Sequence, residues 1–332
     1  MRPSFKLEVD GSDISAVIGD RLLSIRVNDD AGQKSDTLDI MLDDRDGELP
    51  IPSSKAKIKC SLGYEETDLN YMGEFTIDEI TLQENPSKMG IRAKASDSSS
   101  EFKATKTRSW HDTTIGEIVS TIAGEHGLVP TVHADYQSRE VTHIDQENES
   151  DAHFLTRMAS IYGAVSKPAD GRLIFVPEGS GLSASGQALQ AATIPAEEIL
   201  TLRGTVKDRG AYSGVITRFR NKETNLEEEV ETKGNDGWFF GAGPMFRDKK
   251  LYTSRDMAEQ AGQARLRQLQ SGTVTIDFTI RGRPDIFAER PISLEGVRAP
   301  LAGTWIVKNV THEYNASGYT TKISAGSGPE AA

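Results

Sequence analysis

Between Phe5 and Asp97, apolar and polar residues alternate in short runs separated by turn formers, the two-residue period of half-buried strands. The runs are Phe5–Val9, Leu22–Asn28, Thr37–Asp43, Lys57–Tyr64, Tyr71–Leu82 and Lys88–Asp97. Asp43-Asp44-Arg45-Asp46-Gly47-Glu48, closed by Pro50 and Pro52, reads as a charged loop, and Asp97-Ser98-Ser99-Ser100 as a boundary. The period then changes. Thr114 and Glu117 form a capping box, in which the Thr hydroxyl accepts from the third helical N–H and Glu117 reaches back to the cap. Ile115, Ile118, Val119, Ile122 and Ala123 follow on one helical face, and Gly127 stops the helix. A second helix starts at Ser150-Asp151, carries Phe154, Leu155, Met158, Ala159 and Tyr162 on its buried stripe, and ends at Gly163. Arg172–Val176 is a strand entered through Asp170-Gly171.

Residues 179–193 are small and polar and read as a linker or an exposed hairpin. Strands return from Ile199, with one over Tyr212–Asn221. Ser254 caps a helix to about Gln270, whose narrow face of Ala258, Ala261, Gly262, Leu266 and Leu269 suits close packing on a sheet. That helix leads into a Thr273–Ile280 strand.

The last strands restate earlier ones. Gly303, Trp305, Val307, Val310 and Thr311 lie 230 positions after Gly73, Phe75, Ile77, Ile80 and Thr81. Without a gap, the same offset lays Lys322 on Arg92 and Ala325 on Ala95. Upstream, Thr275-Ile276-Asp277-Phe278 and Ile280 lie 238 positions after Thr37-Leu38-Asp39-Ile40 and Leu42. Each copy is a small antiparallel sheet or barrel, and the chain contains two. The fold class is mainly β with an α+β insertion. The expected divisions are 1–100 for the first β domain, 101–194 for a middle α+β domain with linker, 195–326 for the second β domain with one helix, and 327–332 for a disordered tail.

Composition narrows the function classes. The 332 residues carry 38 basic and 50 acidic side chains, a net charge of −12, which argues against a nucleic-acid-binding surface. No run approaches the roughly 18 apolar residues of a membrane span. The first residues lack the apolar core of a signal peptide. The single cysteine, Cys60, sits in a strand pattern and reads as a packed thiol.

The six histidines, His111, His126, His133, His143, His153 and His312, form no HExxH and no cluster at metal-ligand spacing. His143 and His153 are ten apart, across a loop into a helix, and read as surface or capping residues. No nucleophile elbow or phosphate-binding loop occurs, and Gly241-Ala242-Gly243 lacks the third glycine of a dinucleotide loop. A carboxylate pair such as Glu117 with Asp135 has no support beyond abundance. Glu227-Glu228-Glu229 reads as a solvated face. Trp238-Phe239-Phe240 between glycines reads either as a docking surface or as a loop tucked on its own core. No catalytic, cofactor-binding or metal-binding residue is assigned, and no cofactor is expected.

Glu149-Ser150-Asp151 with Phe154-Leu155 and Arg157-Met158-Ala159 resembles the ESDxxFLxRxA stretch of phage late control D proteins, also found in the hub half of type VI secretion spike proteins. Ser109–Ile115 resembles the opening of that family's middle domain. Tyr212–Val215 with Phe219–Lys222 resembles its YxxV…W.D strand, with Phe219 where Trp is usual. Gly303–His312 and Gly318–Thr321 also resemble the family.

The resemblance implies a structural, non-enzymatic baseplate hub protein of a contractile phage tail, with two tube-like β-barrel domains per chain. It implies a homotrimer forming a pseudo-six-fold ring that adapts the hexameric tail tube protein to the trimeric tail spike protein. Tape-measure and other baseplate proteins are further implied partners, in a virion assembled in the host cytoplasm. DNA would pass through the lumen without sequence-specific binding, and the net charge suggests an acidic wall that eases its transit. Spike proteins of the secretion systems carry an oligosaccharide-binding domain and a needle after this region. None follows here, so a separate spike is expected. Two other readings remain: a peptidoglycan-binding or peptidoglycan-hydrolysing tail component, suggested by Ile115–Gly127 followed by Val129-Pro130, and a secreted effector or adhesin.

Overall fold

The structure is a computed structural model that describes all residues except 32–34, 54, 96–101, 103, 170, 180, 182–188, 207–211, 222–223, 234–243, 272–273 and 328–332. The expected boundary at Asp97–Ser100, the Trp238-Phe239-Phe240 loop and nearly all of the expected tail lie outside the described residues, as does most of the 179–193 segment.

The first strands are β1 (Pro3–Val9), β2 (Ser12–Asp13), β3 (Leu22–Asp30), β4 (Thr37–Asp43), β5 (Lys57–Tyr64), β6 (Asn70–Gln83) and β7 (Lys88–Ala95), with a single turn of helix, α1 (Ser15–Ile18), after β2. The middle holds β8 (Thr105–Thr114), α2 (Ile115–Glu125), β9 (Val129–Val132), α3 (Ala134–Gln137), β10 (Glu140–Ser150), α4 (Asp151–Tyr162), β11 (Ala164–Ala169) and β12 (Arg172–Pro177). Then come β13 (Ala192–Pro195), β14 (Ile199–Val206), β15 (Gly214–Arg220), β16 (Glu227–Lys233), β17 (Met245–Tyr252), α5 (Arg255–Ser271), β18 (Val274–Arg281), β19 (Pro291–Glu295), β20 (Gly303–Asn315) and β21 (Gly318–Ser327).

The repeat is physical. In one half the strands run β3-β4-β7-β6-β5-β1; in the other they run β14-β18-β21-β20-β19-β13. Thr37 pairs with Lys94 as Thr275 pairs with Gly326. Irregularities recur at matching places. The β3·β4 ladder breaks register between Leu22 and Ser24, and the β14·β18 ladder between Ile199 and Thr201. The β6·β7 ladder breaks between Ile77 and Glu79, and the β20·β21 ladder between Val307 and Asn309. Bulges re-aim a strand at a chosen point, so their recurrence marks the same module built twice.

Gly73 (φ 135°) and Gly303 (φ 109°) both sit in a region that side chains disfavour, which explains the glycine shared by the two copies. One expectation is corrected. Thr81 faces Gly90, whereas its counterpart Thr311 faces Lys322, so Lys322 matches Gly90 and the return strands align two residues away from the ungapped reading. Between the matched pairs the β20–β21 hairpin holds 10 residues (312–321) and the β6–β7 hairpin 8 (82–89). A slip of two keeps every side chain on its face, so the sequence pattern hides it. The outermost strands also differ: β1 pairs antiparallel with β5, but β13 pairs parallel with β19.

The two copies are not separate sheets. The second half of β20 pairs with β3, so all these strands join in one 13-stranded sheet. Among the described residues, buried hydrophobic side chains gather in three clusters. One lines the first copy, from Leu7 to Ala93, with Tyr319 added. Another lines the second copy, from Ala192 to Ala325. The third holds α2, α4 and β12 together with Phe219, Val230, Tyr252, Ala258 and Ala261. The three-stranded sheet β16-β15-β17 and α5 therefore share a core with the middle segment, and the expected 195–326 unit runs across two clusters. Helix α5 meets its sheet closely: a Cβ at Gly262 would stand 2.5 Å from Thr232 Oγ1. No helix among the described residues is long and apolar enough to cross a membrane.

Candidate assembly surface

The β3·β20 seam runs antiparallel from Asn309 opposite Asp30 to Asn315 opposite Ser24. Ile25, Val27, Val310 and His312 are all at most 2% exposed there. Thr311 Oγ1 donates to Asn28 Oδ1 across the ladder at 2.7 Å, and Arg26 pairs with Glu313 at 3.3 Å. His312 Nε2 lies 3.0 Å from the Ile286 carbonyl and donates to it. Its Nδ1 accepts from the Tyr319 hydroxyl at 2.8 Å. Burial lowers its pKa, so the ring is a neutral structural link.

At one end of the seam, Lys167 of β11 reaches Asp29 at 3.8 Å, Asp36 at 4.0 Å and the Asp30 carbonyl at 3.4 Å. Burial and the adjacent Asp29 carboxylate push Asp36 up to about 7. Burial also pushes Glu289 up to about 7, although the Gly179 N–H donates to it at 2.9 Å.

Several edges of this sheet lack a further partner among the described residues, and two of them carry exposed apolar side chains. Among the described strands, β14 pairs with β18 alone. Strand β5 covers β6 only from Asn70 to Thr76, which leaves Glu79–Gln83 paired to β7 on one side and open on the other. Leu82 is 56% exposed and Leu200 is 55% exposed on these two edges. A row of unpaired backbone groups with exposed apolar side chains is a template for another strand.

The ESD stretch proves to be a structural staple. Ser150 Oγ accepts from the His153 N–H at 3.2 Å and so caps α4. Asp151 is fully buried and accepts from Lys106 (2.5 Å), Arg108 (2.7 Å) and Gln146 (2.8 Å), with His126 Nε2 also at 2.8 Å. Burial alone would raise its pKa, but hydrogen bonds from Lys106, Gln146 and His126 and the charge of Arg108 hold it below the usual range. Glu149 takes Arg157 at 2.6 Å and His153 at 2.7 Å. Trp110 stacks on Phe154, with the Arg108 guanidinium 4.6 Å from its ring centre.

Glu125, His126 and Asp151 lie close enough to share a metal ion. Lys106 and Arg108 already neutralise both carboxylates, so the donor set suits an ion-pair network better than a cation.

Other sequence candidates stay apart. Glu117 completes the capping box with Thr114, while Asp135 lies beside His133. His153 faces Glu149. His143 instead meets His111, with Nδ1 atoms 3.1 Å apart, and Asp145 at 3.0 Å. Sequence spacing missed that pair because it depends on His143 standing opposite His111 in the β8·β10 ladder. The acidic triplet is matched: Glu227 pairs with Arg218, Glu228 accepts from Asn221, and Glu229 pairs with Arg247. The apolar face of α2 is buried in the core.

Comparison with known proteins finds relatives among phage tail proteins. A probable baseplate hub protein of Escherichia phage 186 is 32% identical over 97% of this chain and 92% of its own length. A 43 kDa tail protein of prophage MuSo2 from Shewanella oneidensis has the same fold, with a TM-score of 0.74, 12% identity and 99% of both chains covered. An E. coli type VI secretion component described as similar to phage T4 tail proteins gp27 and gp5 follows, with a TM-score of 0.59, 12% identity, and all of this chain and 80% of that one covered. The model of the phage tail baseplate hub (GPD) family matches residues 100–318, and the chain belongs to that family.

Proposed function

We propose that this baseplate hub protein of contractile phage tails is a structural, non-enzymatic adaptor. Three chains would form a ring that joins a six-fold tail tube to a three-fold spike and is needed for tail assembly. The observation that carries this reading is the internal repeat, with its bulges at matching positions in both copies. Three chains with two like modules each offer six near-equivalent surfaces on one face while the ring keeps three-fold symmetry. In the same reading the repeat modules form the tube wall. The third cluster, built from 102–175 and the 214–271 segment, forms a body outside it. The partners are a trimeric spike, the tail tube, and tape-measure and other baseplate proteins. The ring sits at the tail baseplate after assembly in the host cytoplasm, and DNA passes through an acidic lumen.

Light scattering over a concentration series tests the ring. A mass near three times 36.2 kDa is expected, and a monomer at every concentration, with and without the spike, would overturn it.

A further inference from the structure

We propose that His111 and His143, facing each other across the β8·β10 ladder, bind a divalent transition-metal ion of the zinc class. The two residues stand directly opposite in the antiparallel register. Such neighbours carry their Cβ atoms about 4.5–5.5 Å apart, close enough for two imidazoles to share one ion. Their Nδ1 atoms lie 3.1 Å apart. Two nitrogens each about 2.0–2.1 Å from a tetrahedral ion stand about 3.3–3.4 Å from one another, so the pair is already near the spacing that a single ion requires. The ring centres are 4.5 Å apart with the planes tilted by 30°, and both residues are exposed, so a small rotation of each ring opens room for the ion. The other histidines face different groups: His126 meets Asp151, His133 meets Asp135, His153 meets Glu149 and His312 meets the Ile286 carbonyl.

Asp145 sets the tautomer. The Ser109 hydroxyl donates to its Oδ1 at 2.5 Å, and that bond, followed by the one from His143, holds the carboxyl below the usual carboxylate range. An ionised carboxylate only accepts. Its Oδ2 lies 3.0 Å from His143 Nε2, so that nitrogen carries the hydrogen and donates it. The lone pair of the neutral ring is then on Nδ1, on the His111 side. Arg157 also donates to the Asp145 carbonyl at 2.6 Å, which holds the residue in place. A carboxylate behind a ligating imidazole is the arrangement that orients metal-binding histidines. Without metal, His111 Nδ1 donates to His143 Nδ1. On binding, the ion takes the place of that hydrogen, which passes through water to His111 Nε2, and the number of bound protons is unchanged. Imidazole suits zinc, nickel or copper, whereas magnesium and calcium take oxygen ligands. Water completes the shell on the exposed face. Among the described strands, β8 and β10 pair only with each other, while Trp110 and Ile144 turn inward to the core, so the ion would staple this ribbon from its outer side.

Isothermal titration of zinc chloride into the tag-free full chain tests the site. One ion per chain, with half-saturation at micromolar zinc and a rise in the thermal unfolding temperature, is expected. Magnesium chloride at the same concentrations should give neither. His111→Ala and His143→Ala should each weaken zinc binding at least about tenfold, and Asp145→Ala by about 10–100-fold. Both histidines are exposed, so without metal their variants should unfold as the parent chain does. With copper as the probe, electron paramagnetic resonance should show two nitrogen donors in the parent and one in each histidine variant. Half-saturation only at millimolar zinc, or binding unchanged in both histidine variants, overturns the proposal. Binding lost instead in Glu125→Gln would put the ion at the Glu125–His126–Asp151 group and overturn it as well.

Discussion

Asp151 makes the strongest demand on the middle unit. Its carboxylate is fully buried and accepts from Lys106 and Arg108, while Gln146 and His126 complete its shell. Asp151→Asn keeps the shape and removes the charge. Lys106 and Arg108 are then left with Glu125 as their remaining carboxylate. Removing one partner of a buried ion pair costs about 3–5 kcal/mol. The Lys106 and Arg108 side chains are 33% and 24% exposed, so water recovers part of that, and about 2–4 kcal/mol is expected. Urea unfolding followed by tryptophan fluorescence suits the assay, because Trp110 stacks on Phe154 beneath Arg108.

The pH dependence gives a second reading of the same group. A carboxyl held below its unfolded value contributes stability above about pH 4, which is lost as pH falls through the folded value. The wild-type chain should lose this contribution in acid, and Asp151→Asn should have no such contribution to lose. A loss below about 0.5 kcal/mol at pH 7, with an unchanged acid limb, would refute the view that Asp151 anchors the unit.

Other outcomes follow from single residues. Asp36, held at about 7 by burial beside Asp29, contributes stability that is fully present below about pH 4 and lost as pH rises through 7. Asp36→Asn should therefore stabilise the seam at pH 8 by about 1–2 kcal/mol, its side chain being 30% exposed, and should flatten thermal stability between pH 5 and 8. Cys60 is fully buried, with its thiol pushed up to about 12, so a thiol reagent should label it only as fast as the chain unfolds. Gly303→Ala should cost about 1–3 kcal/mol in a melting experiment from backbone conformation alone, since nothing lies near the added Cβ. Gly73→Ala should cost more, because the Phe75 ring stands 3.1 Å from the same atom.

What was legible in the sequence was what short-range physics writes there. The period-two runs, the Thr114–Glu117 capping box, the Ser150 cap and the Gly73/Gly303 correspondence each depend on neighbours within a strand or a turn. Strand β8 did not read as a strand because its inward positions are Lys106, Arg108 and Trp110, two of them charged to serve Asp151. The β3·β20 seam brings together residues as far apart as Asn28 and Thr311, and no local pattern encodes that pairing. Helix α5 shows its narrow small-residue face plainly, but a face of Ala258, Ala261 and Gly262 fits any sheet, and only the fold decides that it meets β15–β17. The open edges were invisible for a related reason: β6 and β14 read as ordinary strands, and what marks them is the partner each lacks among the described residues.

A hub ring is defined by how many chains surround the tail axis and where they sit. Cryo-electron microscopy of an assembled baseplate containing this protein measures both. Three copies in one closed ring between tube and spike, with the two modules of each chain at alternating positions, is the result expected. Six copies, or copies placed away from the axis, would contradict it.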